Sequence, residues 1–222
     1  MPDPTPTAGD EPVGEHTKSF LHELPVLILI ALVIATLLKT FLVQAFYIPS
    51  ASMEPTLQIG DRVLVNRLVY RLRDIHRGDV IVFSDPHPDP HAGRGVIGGF
   101  VHWFEEGLGL AKPADQDFIK RVIGLPGQTI ELHDGELFVD GSKIAEPYLV
   151  GPPDIRPYGP VKVPAGDLFV LGDNRTNSCD SRYPPNENFP CPGGGLGFVP
   201  LDKVIGEAFV VIWPPGDAAW LR

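Results

Sequence analysis

The sequence predicts a mainly β protein with partly closed, barrel-like sheets, carried behind one N-terminal apolar segment. Three observations lead there. The 222 residues include 24 glycines and 25 prolines, yet 43% are hydrophobic and 21% charged. That many breakers in a chain able to pack a core mean short strands joined by turns. After residue 46 the apolar residues alternate or run in short blocks of strand length, with no sustained helical period. Finally, Asp134-Gly135 and Asp140-Gly141 are two Asp-Gly pairs, the strongest short hairpin signal.

The N-terminal segment comes first. "PVLILIALVIATLL" at 25–38 carries no charge, and continuation through "KTFLVQAF" extends it to Phe46. A helix over 25–46 is about 33 Å long, enough to cross a bilayer. Pro25 suits the first helical turn. Lys39 is costly in such a span, and its stem reaches only part of the way to the interface. The residues before it are acidic, with Lys18 as the only Lys or Arg. That is the wrong charge for a cleaved leader, although "VQA" at 43–45 has the form of a cleavage site. The reading is an acidic tail over 1–24, an uncleaved membrane anchor over 25–46, and a β-rich domain over 47–222. The flanking charges do not set its orientation.

The strands follow in order. "DRVLVNRLVY" at 61–70 and "GDVIVFSD" at 78–85 are β-rich and bounded by turn residues. "DFIKRVIGLPGQTIEL" at 117–132 is two strands about a Pro-Gly turn, and "HDGELFVDG" continues the hairpins. "GDLFVLGDN" at 166–174 and "KVIGEAFVVIWPP" at 203–215 complete the set. Residues 84–113 and 183–198 read as surface insertions, the first with a short helix at "FVHWFEEGLGL". His87 and His91, with Asp85 and Asp89 among prolines, match no metal-ligand spacing and read as solvated loop. A net charge of −10 lacks the electrostatic footprint of a nucleic-acid binder. Cys179 and Cys191 form no C-x-x-C pair, which argues against a zinc ribbon or redox dithiol.

Three stretches carry chemistry. "PSASMEPT" at 49–56 holds Ser50 and Ser52 without a nearby histidine. A serine hydroxyl is a weak nucleophile until a base takes its proton, and a desolvated lysine can be that base. Lys120 in "FIKRVIG" qualifies: on a strand, Phe118, Lys120 and Val122 share one face, and Ile119, Arg121 and Ile123 the other. "LGDNRTNSCDSR" at 171–182 has the density of a structured loop whose side chains can hold a lysine and bury an Asp–Arg pair. Taken singly, each has an ordinary reading as a turn, a strand lysine reaching solvent, or a tight surface loop.

Together, "PSASMEPTL", "GDVIVF", "FIKRVIGLPG" and "GDNRTNSCDSR", in this order behind an apolar segment, resemble the sequence boxes of bacterial type I signal peptidases. The resemblance runs from about Gln44 to Pro214, interrupted by the two insertions. It implies Ser52 as nucleophile, Lys120 as general base, and the Ser50 hydroxyl with the Ser52 N–H as oxyanion hole. It implies Ser178 as the group orienting the lysine, and an ion pair of Asp180 with Arg182 that also involves Arg121. Phe46, Ile48, Pro49, Met53, Leu57, Phe118 and Ile119 would wall the substrate pockets, with ordinary core as the alternative reading. The family box more often reads "GDNRDNS"; here Thr176 replaces the second aspartate. No cofactor or metal is implied.

The implied substrates are secretory preproteins, cut after small-x-small sites. The implied location is the bacterial cytoplasmic membrane, catalytic domain outward, touching the lipid bilayer and near the secretion machinery. On an oxidising side, Cys179 and Cys191 either form a disulfide bracing the second insertion or remain free thiols. Related Ser/Lys self-cleaving repressors carry a DNA-binding region where this chain has an apolar segment. Ser-x-x-Lys enzymes want a lysine where Ser52 is followed by "MEP". A membrane-tethered β-domain that binds peptides or envelope partners without catalysis is the alternative from another class.

Overall fold

The computed structural model describes residues 23–33, 43–87, 117–185, 191 and 194–221. The chain divides into two units, Met1–Thr40 and Phe41–Arg222. In the first, residues 23–33 form helix α1. Its large apolar side chains, from Leu24 to Val33, are exposed all round. Among the described residues no helix is long and apolar enough to cross a membrane.

The expected helix to Phe46 is corrected at its end. Val43–Tyr47 is strand β1, paired antiparallel with β2, Arg62–Asn66, in register from Val43 opposite Asn66 to Tyr47 opposite Arg62. "VQAFY" carries one β-branched and two aromatic residues, and Phe46 turns inward while Ala45 and Tyr47 face out. Residues 34–42, the rest of the expected anchor's second half, lie outside the described residues. So do the acidic tail to residue 22, the expected helix of the first insertion, and His91 and Asp89.

The second unit continues with the short helix α2, Val69–Leu72, and β3, Val80–Ser84. Then come β4, Asp117–Gly124, β5, Thr129–His133, β6, Glu136–Val139, and β7, Ser142–Ile144. The last strands are β8, Tyr158–Lys162, β9, Asp167–Leu171, β10, Val199–Pro200, β11, Val204–Trp213, and β12, Ala219–Trp220. The larger sheet runs β1-β2-β11-β3-β4-β9-β10, with β12 beside β11; the smaller runs β7-β6-β5-β8. All pairs are antiparallel. Among the described residues neither sheet closes on itself, so the expected barrel-like arrangement gives way to two antiparallel sheets. The larger sheet ends on β1 and the two-residue β10, too short a rung to carry pairing round to closure.

Both Asp-Gly pairs turn hairpins. Asp134, Gly135, Asp140 and Gly141 all have positive φ, from 51° to 78°. That is the requirement of a two-residue turn whose twist matches the strands, between β5 and β6 and between β6 and β7.

Alternation along β4 distributes its side chains among separate clusters. Phe118 and Val122 pack with Ile81, Phe83, Leu168 and Val170. Ile119 packs with Phe46, Ile48, Met53, Leu57, Val63 and Val82, and Ile123 with the core of the smaller sheet. Met53 and Leu57 are wholly buried. Each such side chain stabilises the fold by roughly 1.5–3 kcal/mol, which pins the β1–β2 connection on which Ser52 rides.

Candidate active site

Ser52 sits in a single 3₁₀ turn, Ala51–Met53, in that connection. The turn closes locally, Glu54 N donating to the Ala51 carbonyl at 3.1 Å and Leu57 N to the Met53 carbonyl at 3.0 Å. The loop after β9 clamps it from the other side. Asn174 donates its backbone N–H to the Ser52 carbonyl and its side-chain amide to the Ala51 carbonyl, both at 3.1 Å. Ser52 keeps only 8% of its surface.

Lys120 reaches this turn from the middle of β4, opposite Ile81 on β3. It is buried, its Nζ 2.7 Å from Ser52 Oγ and donating to the Ile119 carbonyl at 3.0 Å. Burial pushes its pKa down to about 8, against the opposing pull of the Asp180 and Asp173 carboxylates. A neutral amine beside a hydroxyl at that distance can take its proton. Ser50, exposed, has its hydroxyl 3.4 Å from Ser52 Oγ.

The depressed pKa has a consequence for stability. In the unfolded chain Lys120 stays protonated up to about 10.5, whereas in the folded chain it is neutral above about 8. Between these values the unfolded state binds the extra proton, so stability rises with pH. Below pH 8 the cost of burying the charge is present in full, on the order of 3 kcal/mol. Lys120→Met is therefore expected to gain on the wild type below pH 8, the gap closing towards pH 10.5. Urea unfolding at a series of pH values measures it; a gap independent of pH would show that Lys120 is not desolvated.

The other expected residues fall differently. Ser178 Oγ is buried and has no hydrogen-bond partner among the described residues, Lys120 included. Asp180 and Arg182 form a bidentate pair at 2.8 and 2.9 Å. Arg121, expected with that pair, instead grips Asp173 bidentately at 2.8 and 2.6 Å, with almost no exposed surface on either side chain. Asp173 also accepts from Thr56 Oγ1, and the Arg121 guanidinium lies 3.9 Å over the Tyr148 ring. Of the expected pocket walls, Ile48, Met53 and Leu57 are core side chains with 0–1% exposure. Phe46 and Ile119 are nearly as buried, Phe118 belongs to a different cluster, and only Pro49 is exposed.

Several residues escape the sequence reading. Asn174 and Thr56 were each visible only as loop or turn formers. Arg175 pairs with the buried Glu146 carboxylate, and Asp154 takes both Arg156 and Arg182. These carboxylates come from the 145–157 segment, which shows no periodicity. The Arg-rich loop at 171–182 was the one available signal.

Cys179 and Cys191 are joined in a disulfide, their Cα atoms 5.5 Å apart. It ties the loop carrying Ser178 and Asp180 to the later insertion. Closing a loop of this length is worth about 3 kcal/mol in the chain-entropy model. Cys191→Ser is expected to lower unfolding free energy by about that amount; a midpoint shift no larger than a surface substitution gives would contradict it.

The fold thus brings the serine of one sequence box and the lysine of another to 2.7 Å. Residues 21–213 match the family described as signal peptidase, peptidase S26. The chain is 41% identical over 184 residues to "Probable signal peptidase I-2" of Synechocystis sp., covering 83% of this chain and 69% of that one. It is 40% identical over 221 residues to "Signal peptidase I" of Mycobacterium tuberculosis, covering 89% and 74%. It is 32% identical over 196 residues to "Signal peptidase I T" of Bacillus subtilis, covering 84% and 82%. A crystal structure of a signal peptidase I from Enterococcus faecalis is similar at 27% identity and a TM-score of 0.40, over 61% of this chain and 97% of that one. The chain belongs to the peptidase S26 family of signal peptidases and is a hydrolase of that class.

Proposed function

We infer that this chain removes N-terminal signal peptides from secretory precursors, cutting after small-x-small sites with Ser52 as nucleophile and Lys120 as general base. The observation that carries the reading is the 2.7 Å approach of Lys120 Nζ to Ser52 Oγ, with the amine buried and its pKa lowered to about 8. Ser52 Oγ attacks the scissile carbonyl carbon as Lys120 takes its proton. The oxyanion gains hydrogen bonds from the Ser52 backbone N–H and the Ser50 hydroxyl. Collapse expels the leaving amine, which takes the proton from Lys120. Lys120, neutral again, deprotonates a water that attacks the acyl-enzyme, and returns the proton to Ser52 Oγ as the acyl bond breaks. The buried Arg121–Asp173 and Asp180–Arg182 pairs hold the loop against the turn.

The exposed apolar side chains of α1 from Leu24 to Val33 support the reading of the N-terminal segment as a membrane anchor, since a helix apolar all round is stable only when buried or in lipid. With the anchor in the cytoplasmic membrane and the second unit outside, the substrates are precursors held at the same bilayer, close to where the secretion machinery releases them.

The test is incubation of the detergent-solubilised protein with a purified secretory precursor and sequencing of the product's new N-terminus. A cut after small-x-small supports the reading. No product from several precursors in lipid would leave a tethered binding domain in its place. Loss of one oxyanion donor costs ~10²–10³ in turnover. Ser50→Ala is therefore expected to lower kcat by that factor with little change in KM; kcat within twofold of wild type would remove Ser50 from the oxyanion hole.

A further inference from the structure

A cavity of about 540 Å³ opens beside the Ser52 turn. That lies within the ~300–1,000 Å³ typical of ligand pockets. Glu54 and Pro55, just after Ser52, stand at one side of it, and Ala145 and Leu149 at another. Asn174 and Thr176 form the third side. It therefore adjoins the serine turn: its wall includes the second residue after Ser52 and Asn174, whose side chain clamps that turn.

Charge in the cavity is almost wholly spoken for. Glu146 is paired with Arg175, Asp154 with Arg156 and Arg182, Asp173 with Arg121, and Lys143 with Glu136. The exception is Glu54, half-buried, whose carboxylate has no hydrogen bond or ion pair among the described residues. A half-buried carboxylate left without a partner beside a nucleophile is a recognition element for positive charge.

The occupant follows from position. A peptide acylating Ser52 has its scissile bond at the serine turn, and Glu54 and Pro55, at the end of that turn, wall the cavity. An extended chain advances about 3.3 Å per residue. Its first three residues after the cut thus span about 10 Å.

We propose that this cavity receives the start of the mature chain, and that Glu54 is a specificity-determining residue favouring basic over acidic side chains within the first three positions after the cut. The proposal rests on the peptidase reading above. Its chemistry adds no step; the carboxylate acts on the charge of the bound segment, and both a lysine and a newly released α-ammonium satisfy it.

The experiment uses the full chain in detergent at low ionic strength and precursor peptides that differ only by Lys or Asp at each of those three positions. For the wild type, kcat/KM is expected to favour Lys over Asp by about fivefold at one or more positions, a ratio that shrinks with added salt. In Glu54→Gln the ratio falls to about one. A second arm compares a peptide with six residues after the cut to one with a single residue there. The wild type favours the longer peptide, and Ala145→Trp, which fills the cavity from an exposed position, brings that ratio towards one. An unchanged Lys-to-Asp ratio in Glu54→Gln, or an unchanged length ratio in Ala145→Trp, overturns the proposal while the peptidase reading stands. Absence of any Ser52-dependent product from every peptide overturns both.

Discussion

Ser52→Ala and Lys120→Met are each expected to lower precursor cleavage by ~10⁴-fold or more, and the double variant by no more than the worse single one. The reason is that the hydroxyl and the amine act as a unit: neither accelerates the reaction without the other. Methionine is chosen because it fills the volume of a side chain that has only 4% exposure. The same pair sets the pH profile. Lys120 is a base only when neutral, so kcat/KM falls with decreasing pH below about 8. Single-turnover cleavage of one precursor at pH 6 to 10 measures both. Either variant within tenfold of the wild type, or a flat profile, would exclude Lys120 as the base.

The second large effect is expected from Gly172→Ala. A methyl there would fall 2.3 Å from the Ser178 hydroxyl and 2.3 Å from the Ser52 carbonyl. The carbonyl cannot move freely, because Asn174 N holds it and the buried Met53 anchors the turn. The methyl must therefore push the Ser52 turn away from β9, and a displacement near 1 Å at a reacting centre costs ~10² in rate. Overpacking of this kind also destabilises by about 1–3 kcal/mol. The expected result is a loss of ~10²-fold or more in kcat/KM, with a cooperative unfolding transition retained at a lower Tm. Ser178→Gly added to Gly172→Ala relieves only one of the two clashes and should restore little activity. A Gly172→Ala enzyme at wild-type rate would mean the loop is not pressed against the turn.

How far the sequence reached depends on the range of each interaction. The Asp-Gly turns at 134–135 and 140–141 were legible because positive φ is a local requirement that only a few residue types meet. The alternation of "FIKRVIG" was legible for the same reason, since neighbours on a pleated strand point to opposite faces whatever lies beyond. The end of the apolar segment was not. "VQAF" continues a hydrophobic run and has no charge, so only its pairing with Arg62–Asn66, far along the chain, makes it a strand. Strand order was not legible either, because it is set by contacts between residues far apart in sequence. A ten-residue β11 accepts β2, β3 and β12, while β10 contributes two residues.

The site divides along the same line. Residue chemistry brought out Ser52 and Lys120, because a serine without a histidine needs another base, while Ser50, Ser178, Asp180 and Arg182 came from the resemblance to the family's sequence boxes. Only the folded chain decided that Arg121 belongs to Asp173 and that Asn174 clamps the serine turn. It also decided that the pocket candidates Met53 and Leu57 are core, and that Glu54 stands unpaired beside a cavity. Side-chain type and local spacing are properties of the chain itself. The desolvation that lowers the Lys120 pKa, and the choice among competing ionic partners, exist only once distant segments exclude water from one another.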